Sequence, residues 1–240
     1  MGQDRLHRVG RTPAKIKPWY ERDKGVRLAH DKQLVAVDYP GLSHRMDTEN
    51  EKVFLDGSIT LGSTCGVSTT IGVRVDLPRA YPKAEPSVYD IKNRFPHVPD
   101  RHFFRDGRCC LWLNPESGWD SLDPDALRTF LDHVAIFFEK QLICEATPGH
   151  NWPGPARSHE YLGYIEFVKD LLGGERDLLV AFSPIFSGRN STGRNAECPC
   201  GRRMKFKNCH WGVIKDIERR VGSVVARQVF RRFIEKQTRP

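Results

Sequence analysis

The chain has 240 residues, 39% of them hydrophobic and 28% charged, enough for one hydrophobic core with a small appendage and too apolar for a disordered segment. No apolar run reaches the roughly 18 residues of a bilayer crossing. The N-terminus, MGQDRLHRVGRTPAKIKPWY, lacks the apolar centre of a secretory signal. Seven cysteines, an odd number, then suit the reducing cytoplasm, where thiols serve metal binding or catalysis rather than disulfides. The net charge of +8 is unevenly placed: residues 183–240 hold 14 Lys and Arg against 4 Asp and Glu, the remainder 24 against 26. Such a basic quarter suits nucleic acid or an acidic protein surface, and suits equally a solvated helix face.

Residues 1–18 read as a flexible basic arm. From Trp19 to about Val37 the pattern is weakly helical, with Val26, Ala29 and Leu34 as apolar positions. Val53–Leu55, Ser58–Leu61 and Val67–Leu77 read as antiparallel strands, the last alternating Ile71, Val73, Val75 and Leu77. Pro78, Pro82 and Pro86 then stiffen a loop and stop ladder pairing. A long irregular stretch, about 90–119, contains the adjacent thiols Cys109 and Cys110, and loops of that length are usually functional.

Asp123 and Pro124 are start signals for a helix whose apolar positions are Leu127, Phe130, Leu131, Val134, Phe138 and Leu142. Catalysis by Asp120, Asp123 or Asp125 is the weaker reading, since Asp123 is accounted for as a cap. A second helix starts near Ser158, presents Leu162, Ile165, Val168 and Leu172, and stops at Gly173-Gly174. Residues 183–196, SPIFSGRNSTGRNA, read as a linker. One long basic amphipathic helix is expected from about Val213 to Lys236, striped by Val213, Ile217, Val221, Val224 and Val225. Cys65 and Cys144 read as core thiols.

Between linker and helix lie Cys198-Pro199-Cys200-Gly201 and Cys209-His210. Three thiolates and an imidazole complete a tetrahedral Zn2+ set, closed to substrate and therefore structural. With Lys205-Phe206-Lys207-Asn208, residues 197–212 resemble SEC-C, the small zinc motif at the C-terminus of the SecA translocase ATPase. Arg202 and Arg203 depart from it. The resemblance implies a docking module, and so few residues need the metal in order to fold.

A cysteine between a turn and an apolar run is more often core than catalyst. Here the order of features bears on the choice. An N-terminal helix, a strand meander, the loop carrying Pro78, Tyr81, Pro82 and Pro86, then Asp106-Gly107-Arg108-Cys109-Cys110-Leu111 and two helices resemble the ubiquitin-conjugating enzyme fold over residues 19–182. The resemblance implies an α+β domain of N-terminal helix, antiparallel meander and C-terminal helices, to which the zinc hairpin and basic helix are appended. It makes Cys110, the cysteine before leucine, the thioester nucleophile, and gives Cys109 the inward apolar place beside it. A thiol suits that chemistry because it both attacks an acyl group and leaves readily.

The family's usual His-Pro-Asn is absent. His102, eight positions before Cys110, together with Trp152-Pro153-Gly154-Pro155 and His159, is more similar to bacterial conjugating enzymes of antiphage operons, the short CBASS systems among them. That likeness implies His102 and then His159 as assistants of the thiol. The implied partners are an activating enzyme and either a ubiquitin-like modifier or a cyclic-oligonucleotide synthase, with no membrane. The competing expectation is a catalytically inactive adaptor of the same fold.

Overall fold

A computed structural model describes residues 17–62, 68–149, 151–154, 157–159 and 161–237. The basic arm up to residue 16, Cys65 and Pro155 lie outside the described residues. The chain divides into two compact units, Met1–Arg94 with Trp119–Ile136, and Phe95–Gly118 with Phe137–Pro240.

In the first unit, a 3-10 segment Trp19–Gly25 leads into α1, Val26–Asp38. A four-stranded antiparallel sheet follows in the order β1 (Leu42–Asp47), β2 (Lys52–Leu61), β3 (Thr69–Leu77) and β4 (Ser87–Asp90). Registry pairs Val53 with Leu77, Leu55 with Val75 and Ile59 with Ile71. The alternation seen in the sequence of β3 thus becomes one buried face. β1 and β4 were not expected. β1 buries Leu42 alone, so its sequence carries no period, and its pairing with β2 makes it a strand. Asp56-Gly57 reads as a break between two strands, yet β2 runs through it, paired to β3 from Val53 to Leu61.

The Tyr81 loop is held by a buried polar cluster. The Tyr81 hydroxyl donates to Asp31 Oδ2 at 2.7 Å, and Arg27 Nη2 donates to the Tyr81 oxygen at 2.8 Å. Asp31 is fully buried. Burial raises its carboxyl, while Tyr81 and then Arg27 oppose that rise. Trp119 Nε1 donates to Pro82 O at 2.8 Å, and the Trp19 ring meets Tyr81 edge-on at 4.6 Å.

α2, Ala126–Ala146, follows. Asp123 is spent at its start, where Oδ1 accepts the N–H of Asp125 at 2.9 Å. The expected stripe is buried at Leu127, Phe130, Leu131, Val134 and Phe138. Leu142 is only half-buried, and Gln141 and Cys144 take the inward places instead.

In the second unit, α3 is Tyr161–Leu171 and α4 is Arg176–Phe186. α4 continues four residues into the stretch read as linker. Pro184 accepts the N–H groups of Arg189 and Asn190 on its carbonyl. The long C-terminal helix is two helices, α5 (Trp211–Val221) and α6 (Ser223–Gln237). Gly222, at φ +80°, takes a conformation closed to most L residues and ends α5 there. The buried stripe is Ile214, Ile217 and Val221, then Ala226, Val229 and Phe230, whereas Val224 is exposed.

These residues form one buried cluster with Ile165, Phe167 and Val168 of α3, Leu178, Leu179 and Phe182 of α4, and Cys198 and Phe206 of the cysteine hairpin. The hairpin is therefore built into a core with α3 and α4 and is no separate tail. No helix among the described residues is long and apolar enough to cross a membrane.

Candidate functional site

The segment from His102 to Cys110 folds back on itself. Phe103 and Cys109 form an antiparallel bridge, Cys110 N–H donates to His102 O at 2.7 Å, and Phe104 N–H donates to Arg108 O at 2.8 Å. Asp106-Gly107 makes the turn, with Asp106 Oδ1 accepting the N–H of Arg108. In such a pair neighbouring side chains face opposite ways. Cys109 is buried, at 7% exposure, and Cys110 is half-buried.

Cys110 Sγ, a ring nitrogen of His102 and one of His159 all lie within 4.8 Å of one another. The imidazole rings are 4.9 Å apart, and the Trp152 indole lies 4.4 Å from His102 on the ring-to-ring measure. The structure thus brings together His102, Cys110 and His159, and also Trp152. Burial pushes the Cys110 thiol up, and Arg108 opposes that rise. Burial, followed by the charges of His159 and Lys140, takes His102 down to about 4. At neutral pH the cluster is a thiol beside a neutral imidazole, each kept in its uncharged form by burial.

Each of the three sits on fixed backbone. His102 is in the left-handed region, φ +55°, directly after Arg101, whose buried guanidinium donates to Gln141 Oε1 at 2.8 Å and to Gln141 O at 3.0 Å. Gln141 Nε2 returns a bond to Arg101 O at 2.5 Å. His159 follows Ser158, whose N–H donates to Glu166 Oε2 at 2.8 Å and whose hydroxyl donates to Glu166 Oε1. It also follows Arg157, which donates to Glu116 Oε1 at 2.6 Å and pairs with Asp170. Sequence reasoning passed over Arg101, Gln141, Arg157 and Glu166. Gln141 alone left a signal, a polar residue on the apolar stripe of α2, seven positions after Val134.

The second cluster is the predicted one. Cys198 Sγ and His210 Nδ1 are 3.4 Å apart, Cys200 Sγ and Cys209 Sγ 3.5 Å, and Cys209 Sγ and His210 Nδ1 3.1 Å. Tetrahedral zinc, with bonds of about 2.0–2.3 Å, sets its ligand atoms roughly 3.3–3.8 Å apart. Two of the three separations fall in that range and the Cys209–His210 one is slightly shorter, so the donor set is compatible with the ion. Burial, and after it the thiols of Cys200 and Cys198, push the Cys209 thiol up to about 12. Crowded sulfurs of this kind become thiolates readily only around a cation. Glu197 and Lys205 close the hairpin by an isolated bridge, and Phe206 N–H donates to Ala196 O at 2.8 Å. Among the described residues no cysteine is in a disulfide.

The architecture is of the expected α+β class: a helix, a four-stranded antiparallel meander, a cysteine loop and helices. Residues 194–212 match the family model described as the SEC-C motif, so the cysteine hairpin is similar to that motif and its four donors are compatible with zinc. A comparison with curated proteins finds no match. Among solved structures, the yeast vps23 UEV domain in complex with a vps27 PSDP peptide is 15% identical, with a TM-score of 0.38, covering 57% of this chain and 86% of that one. A complex of the Vps23 UEV with ubiquitin is 16% identical, with a TM-score of 0.34, covering 47% and 81%. Likenesses at these scores say nothing of activity.

Proposed function

We propose that the protein is a ubiquitin-conjugating-like acyl carrier that holds its cargo as a thioester on Cys110. The observation that carries the reading is the half-buried Cys110 with two imidazole nitrogens within 4.8 Å of its sulfur, beside a buried Cys109. The Cys110 sulfur attacks the carbonyl of an activating enzyme's thioester and gives its proton to neutral His102, with His159 alongside. The activating enzyme's sulfur leaves as a thiol. In the second step an acceptor amine attacks, the amide forms, and the Cys110 sulfur departs and recovers a proton. The cargo is a ubiquitin-like modifier or, in a bacterial antiphage setting, the C-terminus of a cyclic-oligonucleotide synthase. Zn2+ held by Cys198, Cys200, Cys209 and His210 has a structural role, since four protein ligands leave it no open position.

The upward push on the Cys110 thiol favours a second reading, an inactive adaptor of the same fold. One assay separates the two. The protein is incubated with an activating enzyme, ATP and modifier, and a thiol-sensitive adduct is expected. Cys110→Ser should convert it to a thiol-resistant ester or abolish it, while Cys109→Ser leaves it in place. Loss of the adduct in Cys109→Ser alone would overturn the assignment, and no adduct with any cognate modifier would establish the adaptor.

A further inference from the structure

The acyl-transfer reading uses the Cys110 sulfur as a nucleophile and the imidazoles as proton acceptors. It makes no use of a further property of the cluster, which is that a sulfur and two imidazole nitrogens, all zinc-class ligands, lie together. Their donor atoms lie within 4.8 Å of one another, an upper limit about 1 Å above the edge of a tetrahedral zinc site. Adjustment to a metal is left to the side chains, because the backbone beneath each ligand is held by hydrogen bonds. Cys110 and His102 are joined by a 2.7 Å backbone hydrogen bond. His159 follows Ser158 and Arg157, which are anchored to Glu166, Glu116 and Asp170.

Two imidazoles and a sulfur select zinc-like cations over magnesium or calcium, which require oxygen ligands. Three protein ligands with a free fourth position describe an exchangeable site, in contrast to the closed set of Cys198, Cys200, Cys209 and His210.

We propose that His102, Cys110 and His159 form a second, three-ligand site for a zinc-class divalent cation, and that occupancy blocks the Cys110 sulfur. On binding, the sulfur donates its electron pair to the cation and its proton leaves to solvent. The cation is not reduced, and a water fills the fourth position. The binding claim stands on the ligand set alone; its inhibitory consequence rests on the acyl-carrier reading.

The test uses the full chain already carrying one zinc per molecule, titrated with Co2+ and, separately, with Zn2+. A second equivalent of Co2+ should bring a near-ultraviolet thiolate-to-cobalt band that is absent in Cys110→Ser. His159→Gln should weaken that equivalent by about 10-fold or more, while Cys109→Ser leaves it unchanged. A second equivalent of Zn2+ should slow iodoacetamide alkylation of the Cys110 peptide by about 10-fold. Urea midpoints of Cys110→Ser and His159→Gln, compared with the parent, separate lost ligation from lost folding. The site is refuted if Cys110 is alkylated equally fast with and without the second equivalent, or if Cys110→Ser takes up the second cation as tightly as the parent. A chain that forms the thioester and takes no second cation refutes this inference alone. One that takes the cation and forms no adduct refutes the carrier reading alone.

Discussion

Cys109 and Cys110 differ by one position beside a bridged backbone pair, and that single step buries one residue and leaves the other half-buried. The alternation is a property of the sequence and could be read there. What could not be read is the burial that raises the Cys110 thiol, because burial is set by the folded chain as a whole. His44 makes the same point. Its neighbours in sequence give no hint of burial, yet Nε2 is enclosed without a hydrogen-bond partner among the described residues. Burial, followed by the charge of Lys32, takes its pKa from 6.5 down to about 4. The unfolded chain therefore binds a proton at His44 at a higher pH than the folded chain does. His44's contribution to stability is complete above about pH 6.5 and is lost as pH falls toward about 4. Urea unfolding midpoints at about pH 7 and about pH 5 should show a decline that His44→Gln makes shallower. An unchanged decline in the variant would show that His44 is already protonated in the fold.

α3 shows how one element serves two clusters. Its sequence announces a helix by the spacing of Leu162, Ile165, Val168 and Leu172, of which the last three are buried and Leu162 is exposed. It does not announce that Glu166, on the same helix, grips Ser158 and so fixes the approach to His159. That grip requires close quarters. A Cβ placed on Gly163 would stand 2.3 Å from Ser158 O, a backbone atom with no freedom to swing away. In this position glycine looks like a helix defect, for which the ordinary expectation is that alanine stabilises by about 1 kcal/mol. The contact reverses that sign. Gly163→Ala should displace the backbone before His159 and slow adduct formation on Cys110 by about 10-fold or more, since a displacement of roughly 1 Å at a reacting group can cost 100-fold. Adduct formation at the parental rate, with a raised thermal midpoint, would show that the close approach has no consequence. The same non-locality hid β1 and β4, which are strands because of their partners, while Gly222, visible in the sequence, divides the C-terminal helix by its own backbone preference.

On the scale of the molecule, the ligand spacing of the cysteine hairpin was plain in the sequence, but its place in the fold was not. Cys198 and Phe206 lie in one buried cluster with α3, α4, α5 and α6. Phe182 stacks on Phe206 at 6.1 Å and meets the His210 ring at 5.0 Å. Metal bound there stabilises more than a hairpin, because α3 packs into the same cluster through Ile165, Phe167 and Val168 and carries the Glu166 that holds Ser158. An ion present at 1,000 times its dissociation constant adds about 4 kcal/mol to the folded state. Stripping the metal with a chelator, or substituting Cys209→Ser, should therefore lower the thermal midpoint by several degrees. It should also reduce adduct formation at Cys110, although neither treatment touches His102, Cys110 or His159 directly. Re-adding one equivalent of zinc to the chelated wild-type chain should restore both, and Cys209→Ser should recover neither. If metal removal changes the midpoint while the Cys110 adduct forms at its original rate, the hairpin stabilises its own surroundings and α3 does not carry the effect to the site.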